Sequence, residues 1–196
     1  MKTSQDFTNL PCLEEGYYLY TNCKYEEAIN TFNRLILSDI FCNLDPFLRA
    51  SIYYYRAMCK SYLEYIAGAY HDFDLAISLY YYPIFIEQKA RFAFCSGDFK
   101  LSLLAYNQLL KDSPQNPDYL LGRAYVYAGL GFYRFSFLDL DSVVSLSGMT
   151  FVIMVDRLLM HREMGSSLST MIKDFQISFK LLLLSSPKLS RIFGKR

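Results

Sequence analysis

The sequence predicts an all-α fold in which antiparallel helix pairs repeat along the chain. Two stretches, residues 56–83 and 123–148, share one layout: Arg56 corresponds to Arg123, and the Asp72-Phe73 pair to Asp139-Leu140. Their offset of 67 residues is about two units of a 34-residue helical repeat. Apolar residues at i, i+3, i+4 and i+7 in both halves of each unit indicate two amphipathic helices.

Each unit is built around a small residue in its first helix, where the second helix can approach closely. This residue recurs at Gly16, Ala57, Ala90 and Ala124, with separations of 41, 33 and 34. Further positions follow in the same register: a large side chain at the turn (Tyr25, Ile66, Phe99, Tyr133), a small one (Ala28, Ala69, Ser102, Ser136) and a bulky one (Phe32, Phe73, Tyr106, Leu140).

The resulting division, in chain order, is a lead-in at 1–8, four repeats (9–42, 50–83, 84–116, 117–150), a degenerate fifth helix pair at 151–185 and a basic tail at 186–196. Asp174-Phe175, 102 residues after Asp72-Phe73, supports the fifth pair. Prolines 46, 83, 114 and 117 suit boundaries, since a fixed φ and a missing N–H fit turns and first helical positions. A seven-residue excess around "NLDPFLR" separates the first two repeats.

These segments resemble the tetratricopeptide repeat family, as seen in "GYYLYTNCKYEEAINTF", "RAMCKSYLEYIAGAYHDFDLAISL" and "GRAYVYAGLGFYRFSFLDLDSVVSL". The resemblance implies a right-handed α-solenoid superhelix of about four to five repeats. Its first helices would line a concave groove that binds other proteins.

Composition narrows the class of protein. With 53% hydrophobic and 20% charged residues, the chain should fold, and its apolar runs are too short to span a membrane. A net charge of +1 offers no general attraction to nucleic acid. The N-terminus lacks a secretory pattern, so we expect a cytoplasmic protein.

The sequence shows no catalytic motif, and we expect neither an enzyme nor a cofactor or metal site. The five cysteines contain no C-x-x-C pair and are interpreted as buried, inert thiols. The acidic pairs Glu14-Glu15 and Glu26-Glu27 are interpreted as solvated helix faces, and His71 as a surface or inter-repeat residue.

The resemblance also implies which side chains face the groove. The expected partner-binding set is mostly aromatic and aliphatic: Leu13, Tyr17, Tyr20, Tyr54, Met58, Tyr62, Glu87, Arg91, Phe94, Leu121 and Tyr125. Glu87 and Arg91 are candidates to orient a ligand or to pair with each other. Such a wall suits an extended or helical apolar segment of another protein.

The positions that clamp a chaperone C-terminal carboxylate in part of the family carry Leu13, Tyr17, Tyr55, Ile84 and Gln88, which cannot do so. A non-catalytic interaction module or adaptor is therefore the favoured function. The alternatives are a small chaperone for secreted or assembly-bound proteins, a structural subunit that packs into a multiprotein complex through its convex face and Leu181 to Leu184, and, less favoured, an RNA-binding helical repeat. The C-terminal helices are also a candidate surface for homo-oligomer formation.

Overall fold

The computed structural model describes residues 11–185, a range that contains ten α-helices and no strand. The helices are α1 (Pro11–Thr21), α2 (Tyr25–Ile36), α3 (Pro46–Tyr62), α4 (Ile66–Leu79), α5 (Pro83–Cys95), α6 (Phe99–Asp112), α7 (Pro117–Gly129), α8 (Tyr133–Ser147), α9 (Phe151–Glu163) and α10 (Leu168–Ser185). They confirm the predicted all-α fold. The predicted lead-in, 1–8, and basic tail, 186–196, lie outside the described range.

Helix boundaries follow the sequence signals. Pro46, Pro83 and Pro117 are the first residues of α3, α5 and α7, where a proline costs no hydrogen bond. Asp45 and Asn116 cap α3 and α7 by accepting backbone N–H bonds, at 2.8 Å from Phe47 N and 3.0 Å from Asp118 N. The excess residues before the second repeat form a short 3-10 helix, Phe41–Asn43, and the first turn of a long α3.

The described residues divide into two compact units, and the division falls between residues 92 and 93, inside α5. In the first unit, α1 packs on α2, α2 on α3 and α3 on α4. In the second, α6 packs on α7, α7 on α8 and α9 on α10. Short turns join the two helices of each pair, so neighbouring helices run antiparallel.

The repeated small and bulky positions form the cores of both units. Ala57, Ala90 and Ala124 are fully buried, and Gly16 lies so close to Phe32 that an added Cβ would come within 2.5 Å of its ring. Phe32 and the other predicted bulky residues are also buried. The largest cluster of the second unit joins Leu140 of α8 to side chains of α7, α9 and α10.

Each turn between paired helices has one residue in the left-handed region. Gly97, Gly131 and Gly165 occupy it in the last three turns, with φ of 80°, 77° and 64°. In the first two turns the equivalent residues are Cys23 and Glu64, with φ of 59° and 60°. A side chain with a Cβ is strained there, whereas glycine is not.

A ladder of arginines connects neighbouring pairs. Arg56 of α3 donates two bonds to Asp72 of α4, at 2.8 and 2.6 Å, and a third to Asn33 of α2 at 2.7 Å. Each guanidinium therefore joins the two helices of its own pair and the second helix of the preceding pair. Asp72 is completely buried, and Lys60 also lies 2.8 Å from it.

The same arrangement recurs in the second unit. Arg123 of α7 donates to Asp139 of α8, at 2.8 and 2.7 Å, and to Asn107 of α6 at 2.9 Å. Its bonds to Asp139 raise the pKa of Arg123 above the ordinary arginine value, although burial opposes the rise. Arg157 of α9 repeats the pattern with Asp174 of α10 and Asp141 of α8. The ladder therefore extends through the predicted fifth pair.

The third pair departs from the ladder. Lys89 of α5 stands at the arginine position and pairs with Asp74 of α4 at 2.5 Å. Asp74 follows Asn33 by 41 residues and precedes Asn107 by 33, so the acceptor on the preceding pair keeps the period. The aspartate position of the third pair itself carries Ala105. A lysine offers one point charge and cannot form the three-way bridge of a guanidinium.

We expect Cys23→Gly and Glu64→Gly each to raise the free energy of unfolding by about 0.5–1 kcal/mol, because glycine relieves the left-handed strain. Urea unfolding followed by circular dichroism measures the effect. Glu26→Gly, at an exposed position in the first turn of α2, is the control and should lower stability by about 0.5 kcal/mol. Equal destabilisation by all three variants would contradict the interpretation.

Removing one partner of the ladder should be far more harmful than replacing both. Asp139→Ala leaves Arg123 without its carboxylate, and we expect a loss of about 3 kcal/mol. The double variant Arg123→Met, Asp139→Leu should recover most of that loss, because no unpaired charge stays buried. Urea unfolding of the wild type, the single variant and the double variant tests this. If Asp139→Ala lowers the free energy of unfolding by less than about 1 kcal/mol, the pair contributes no more than an exposed surface ion pair.

Candidate protein-binding surface

The described residues carry a cluster of tyrosines on α1, α2 and α3. Tyr17 and Tyr20 lie one turn apart on α1, and both contact Tyr55 of α3, with ring centroids 5.2 and 5.5 Å apart. Tyr25, the first residue of α2, stacks on Tyr62 at the end of α3, at 4.6 Å and an interplanar angle of 12°. We call Tyr17, Tyr20, Tyr25, Tyr55 and Tyr62 the tyrosine cluster.

The cluster is partly exposed. Tyr17 is 47% and Tyr62 53% accessible, while Tyr20, Tyr25 and Tyr55 are half-buried. Burial raises the pKa of Tyr20, and the neighbouring Tyr62 and Tyr54 act in the same direction. The surface presents large apolar rings that carry hydroxyl groups, a combination typical of protein-binding surfaces.

A pocket of about 280 Å³ opens beside the cluster, with Leu13, Glu14, Tyr17 and Tyr55 among its lining residues. Leu13 is only 2% exposed, and it belongs both to the lining of the pocket and to the core of the first unit. The rings of Tyr17 and Tyr55 meet edge to face, at 72°. We refer to it as the α1–α3 pocket.

Two other predicted residues of the first unit are more involved in packing. Tyr54 stacks on Phe85 of α5 at 4.7 Å and meets Phe73 of α4 at 6.3 Å. Burial raises the pKa of Tyr54 to about 12, with a smaller contribution from Tyr55. Met58 is half-buried and packs against the core of Ala57, Ala69 and Phe73. A substitution at either position would therefore test packing as well as binding.

Glu87 and Arg91 pair with each other on α5, at 2.7 Å with spacing i,i+4. The side chain of Arg91 is mostly exposed, so this pair adds little to the stability of the fold. Of the two roles considered for these residues from sequence, the mutual pair is the one observed in the structure.

In the second unit the predicted residues Phe94, Leu121 and Tyr125 are all half-buried. Phe94 contacts Phe99 at 5.5 Å, and Leu121 packs against the main core cluster. The Tyr125 hydroxyl donates a 2.8 Å bond to Asp156 of α9. These side chains offer less free surface than the tyrosine cluster.

The expected partner-binding set contained neither Tyr55 nor Glu14. Of the run of three tyrosines it included Tyr54, while Tyr55 was noted only at a position that clamps a carboxylate in other members of the family. Glu14 and Glu15 are both exposed, as expected for a solvated helix face; Glu15 lies 3.7 Å from Arg34, and Glu14 is among the residues that line the α1–α3 pocket. Its position in the pocket is visible only in three dimensions.

The thiols differ in part from expectation. Cys59 is buried, and burial raises its pKa to about 12, which agrees with an inert thiol. The expectation of burial is wrong for Cys12, Cys23, Cys42 and Cys95, which are exposed because they lie at helix ends or turns. Among the described residues no group of three or more metal-ligating side chains occurs, and no helix there is long and apolar enough to cross a membrane.

No family model matches the chain, and no curated protein matches it in sequence. Its fold, however, is similar to solved structures. A tetratricopeptide repeat protein from Parabacteroides merdae superposes with a TM-score of 0.72 at 15% identity, over 94% of this chain and 73% of that one. A fragment of MamA from Desulfovibrio magneticus RS-1 gives 0.69 at 14% identity, over 91% and 98%.

A third similar structure is the C-terminal part of a TPR repeat-containing protein from Cytophaga hutchinsonii, with a TM-score of 0.69 at 15% identity over 91% of this chain and 66% of that one. Together these likenesses confirm, at the level of fold, the resemblance found in the sequence. The chain has the α-solenoid fold of tetratricopeptide repeat proteins.

Alkaline pH should weaken the contact of Tyr125. Burial and the bond to Asp156 raise the pKa of Tyr125 to about 12, above the ordinary value of about 10. The neutral phenol therefore stabilises the fold below about pH 10, and this contribution is lost as pH rises towards 12. Thermal unfolding across this range should show Tyr125→Phe less stable than the wild type at neutral pH but less sensitive to pH above 10. Parallel curves would contradict the assignment.

Proposed function

We propose that the chain is a non-catalytic protein-interaction module that binds an apolar segment of a partner protein on the tyrosine cluster. The observation that carries this proposal is the coincidence of exposed aromatic rings on α1 and α3 with an adjoining pocket. Five tyrosines, two exposed and three half-buried, supply contact area at a small cost in conformational entropy.

The tetratricopeptide fold supports the proposal, since stacked helix pairs give an extended surface along their first helices. Fold alone does not define a function, so the argument rests on the cluster. Its hydroxyls can remain hydrated while the ring faces are covered, which suits a segment that binds and leaves. An adaptor or a chaperone for an apolar segment would use this surface in the same way.

A second candidate, a structural subunit, is favoured by the outer face of α8. Phe135 and Leu138 are 55% and 61% exposed there, and Phe132, just before the helix, is also exposed. Such side chains could pack against another subunit. Self-association through Leu181 to Leu184 is a separate proposal: Leu182 is buried in the core of its own unit, and the side chains of residues 183 and 184 lie outside the description.

The two candidates predict different losses in an affinity capture from native extract, quantified by mass spectrometry. The variant Tyr17→Glu, Tyr62→Glu places charges on the tyrosine cluster. It should reduce the captured amount of a specific partner at least tenfold, because a carboxylate that is buried without a partner costs about 1–3 kcal/mol of binding free energy or more. Phe135→Glu, Leu138→Glu should leave that partner bound.

Tyr18→Glu, Tyr65→Glu is the matched control, because both tyrosines are exposed and lie outside the cluster. Circular dichroism and melting temperature establish that all variants remain folded. Loss of a partner from the α8 variant alone would replace the proposed function with the structural-subunit role. Equal capture by every variant would refute both.

A further inference from the structure

Successive helix pairs pack on one another through a position that follows the ladder residue by three. In α5 this residue is Phe92, which meets the rings of Tyr70 and Phe73 of α4 at 5.1 and 6.1 Å. In α9 it is Met160, which receives a 3.3 Å bond from Ser136 of α8. The equivalent residues of α3 and α7 are fully buried: Cys59 and Val126. The position therefore marks where a first helix packs on the preceding pair.

In α1 the same position carries an exposed aromatic ring. Tyr18 is 65% exposed, although its equivalents in α3, α7 and α9 are at most 6% exposed. The ladder position of α1, 41 residues before Arg56, is Glu15, so an acid stands where the later first helices carry arginine or lysine. Between residues 11 and 21 the acids are Glu14 and Glu15, and no basic residue occurs. α1 therefore offers apolar surface and negative charge where a preceding pair would pack.

The last described helix, α10, presents the opposite half of such a junction. The bulky residue of a second helix is fully buried in α4 and α8, as Phe73 and Leu140, but its equivalent Phe175 is 38% exposed. Ile172, three residues earlier, is 47% exposed. Gln176 follows Phe175 at the position of the ladder acceptors and is also exposed. α10 thus carries an uncovered face of the kind on which α9 packs in α8.

The charges of α10 complement those of α1. Lys173 and Lys180 are exposed. The one acid between residues 168 and 185, Asp174, is bound by Arg157 at 2.7 Å. Lys173 precedes Gln176 by three residues, which places the two side chains one turn apart on the helix. A helix that packs on α10 therefore meets apolar side chains bordered by positive charge.

We infer that α10 of one copy of this chain binds α1 of a second copy, in the way that α8 binds α9. Tyr18 of the second copy covers Ile172 and Phe175. Glu15 accepts a bond from the amide group of Gln176 and pairs with Lys173. The polarity of the ladder is reversed at this junction, because the first helix supplies the anion and the second helix supplies the donors.

Charge favours this head-to-tail contact over contacts between identical faces. Two α10 helices would bring Lys173 and Lys180 towards their own copies, and two α1 helices would do the same with Glu14 and Glu15, whereas α1 against α10 joins opposite charges. Each added copy leaves one α1 and one α10 unused, so association continues beyond the dimer. The inference is independent of the tyrosine cluster, to which neither face belongs.

Sedimentation velocity of the full chain over a series of concentrations tests the inference. The sedimentation coefficient of the wild type should rise with concentration. Tyr18→Glu and Ile172→Glu should each stay monomeric, because every contact requires one intact α1 and one intact α10. An equimolar mixture of the two variants should form dimers and nothing larger, since it contains one usable pair of faces. Both positions are exposed, and circular dichroism establishes that the variants are folded.

Reversed charges test the polar part of the contact. Glu15→Lys and Lys173→Glu should each weaken association about fivefold, the size expected of an exposed ion pair. The two changes made in the same chain should restore it, because the charges are then opposite again. Glu26→Lys, at an exposed position of α2, is the control and should leave association unchanged.

Two results would overturn the inference. A wild type that is monomeric at every concentration excludes a second copy, and a protein captured from extract by that monomer and lost with Ile172→Glu would assign α10 to another partner. Association of Tyr18→Glu as strong as that of the wild type would place α10 against α10. Neither result affects the proposed function, which is tested by Tyr17→Glu, Tyr62→Glu.

Discussion

The guanidinium of each ladder arginine holds three helices at once. Because two parallel bonds to one carboxylate fix the plane of the group, the third bond can reach only one place on the preceding pair. Hydrophobic contacts between helices tolerate small rotations and shifts, but this bridge does not. In the first unit Arg56 thereby determines how α2, α3 and α4 meet, and the position of the tyrosines on α3 follows from it.

The tyrosine cluster depends on this arrangement. Tyr55 belongs to the same helix as Arg56, one residue earlier, so its ring is directed towards α1 while the guanidinium is directed towards Asn33 and Asp72. The close approach of α1 and α2 at Gly16 brings Tyr17 and Tyr20 within contact of that ring. A surface of partly exposed aromatic residues is thus supported by rigid helices rather than by loops, which reduces the entropy lost on binding.

The period of the sequence was sufficient to predict the helix pairs, since Ala57, Ala90 and Ala124 can be recognised by size and spacing alone. The sequence indicated only some of the residues that form the arginine ladder. Arg56, Arg123 and the recurring aspartates stood out, but their third partner alternates between asparagine and aspartate, residues that are common on any solvated helix. The left-handed turns at Cys23 and Glu64 carry no sequence signal, because glycine is what marks such a turn. Tyr55 and Glu14 became candidates only because the fold places them next to Tyr17, in the lining of the α1–α3 pocket.

The replacement of the ladder in the third pair has a consequence for local unfolding. Lys89 forms one ion pair where an arginine would form three bonds, and Ala105 removes the carboxylate that would tie its own pair together. In a solenoid, stability is approximately a sum of repeat terms and nearest-neighbour terms, so one weak junction divides the chain into blocks that open independently. The compact units divide inside α5, the same helix that carries Lys89. Backbone amides of α5 should therefore exchange with solvent at a lower free energy than those of α3 or α7.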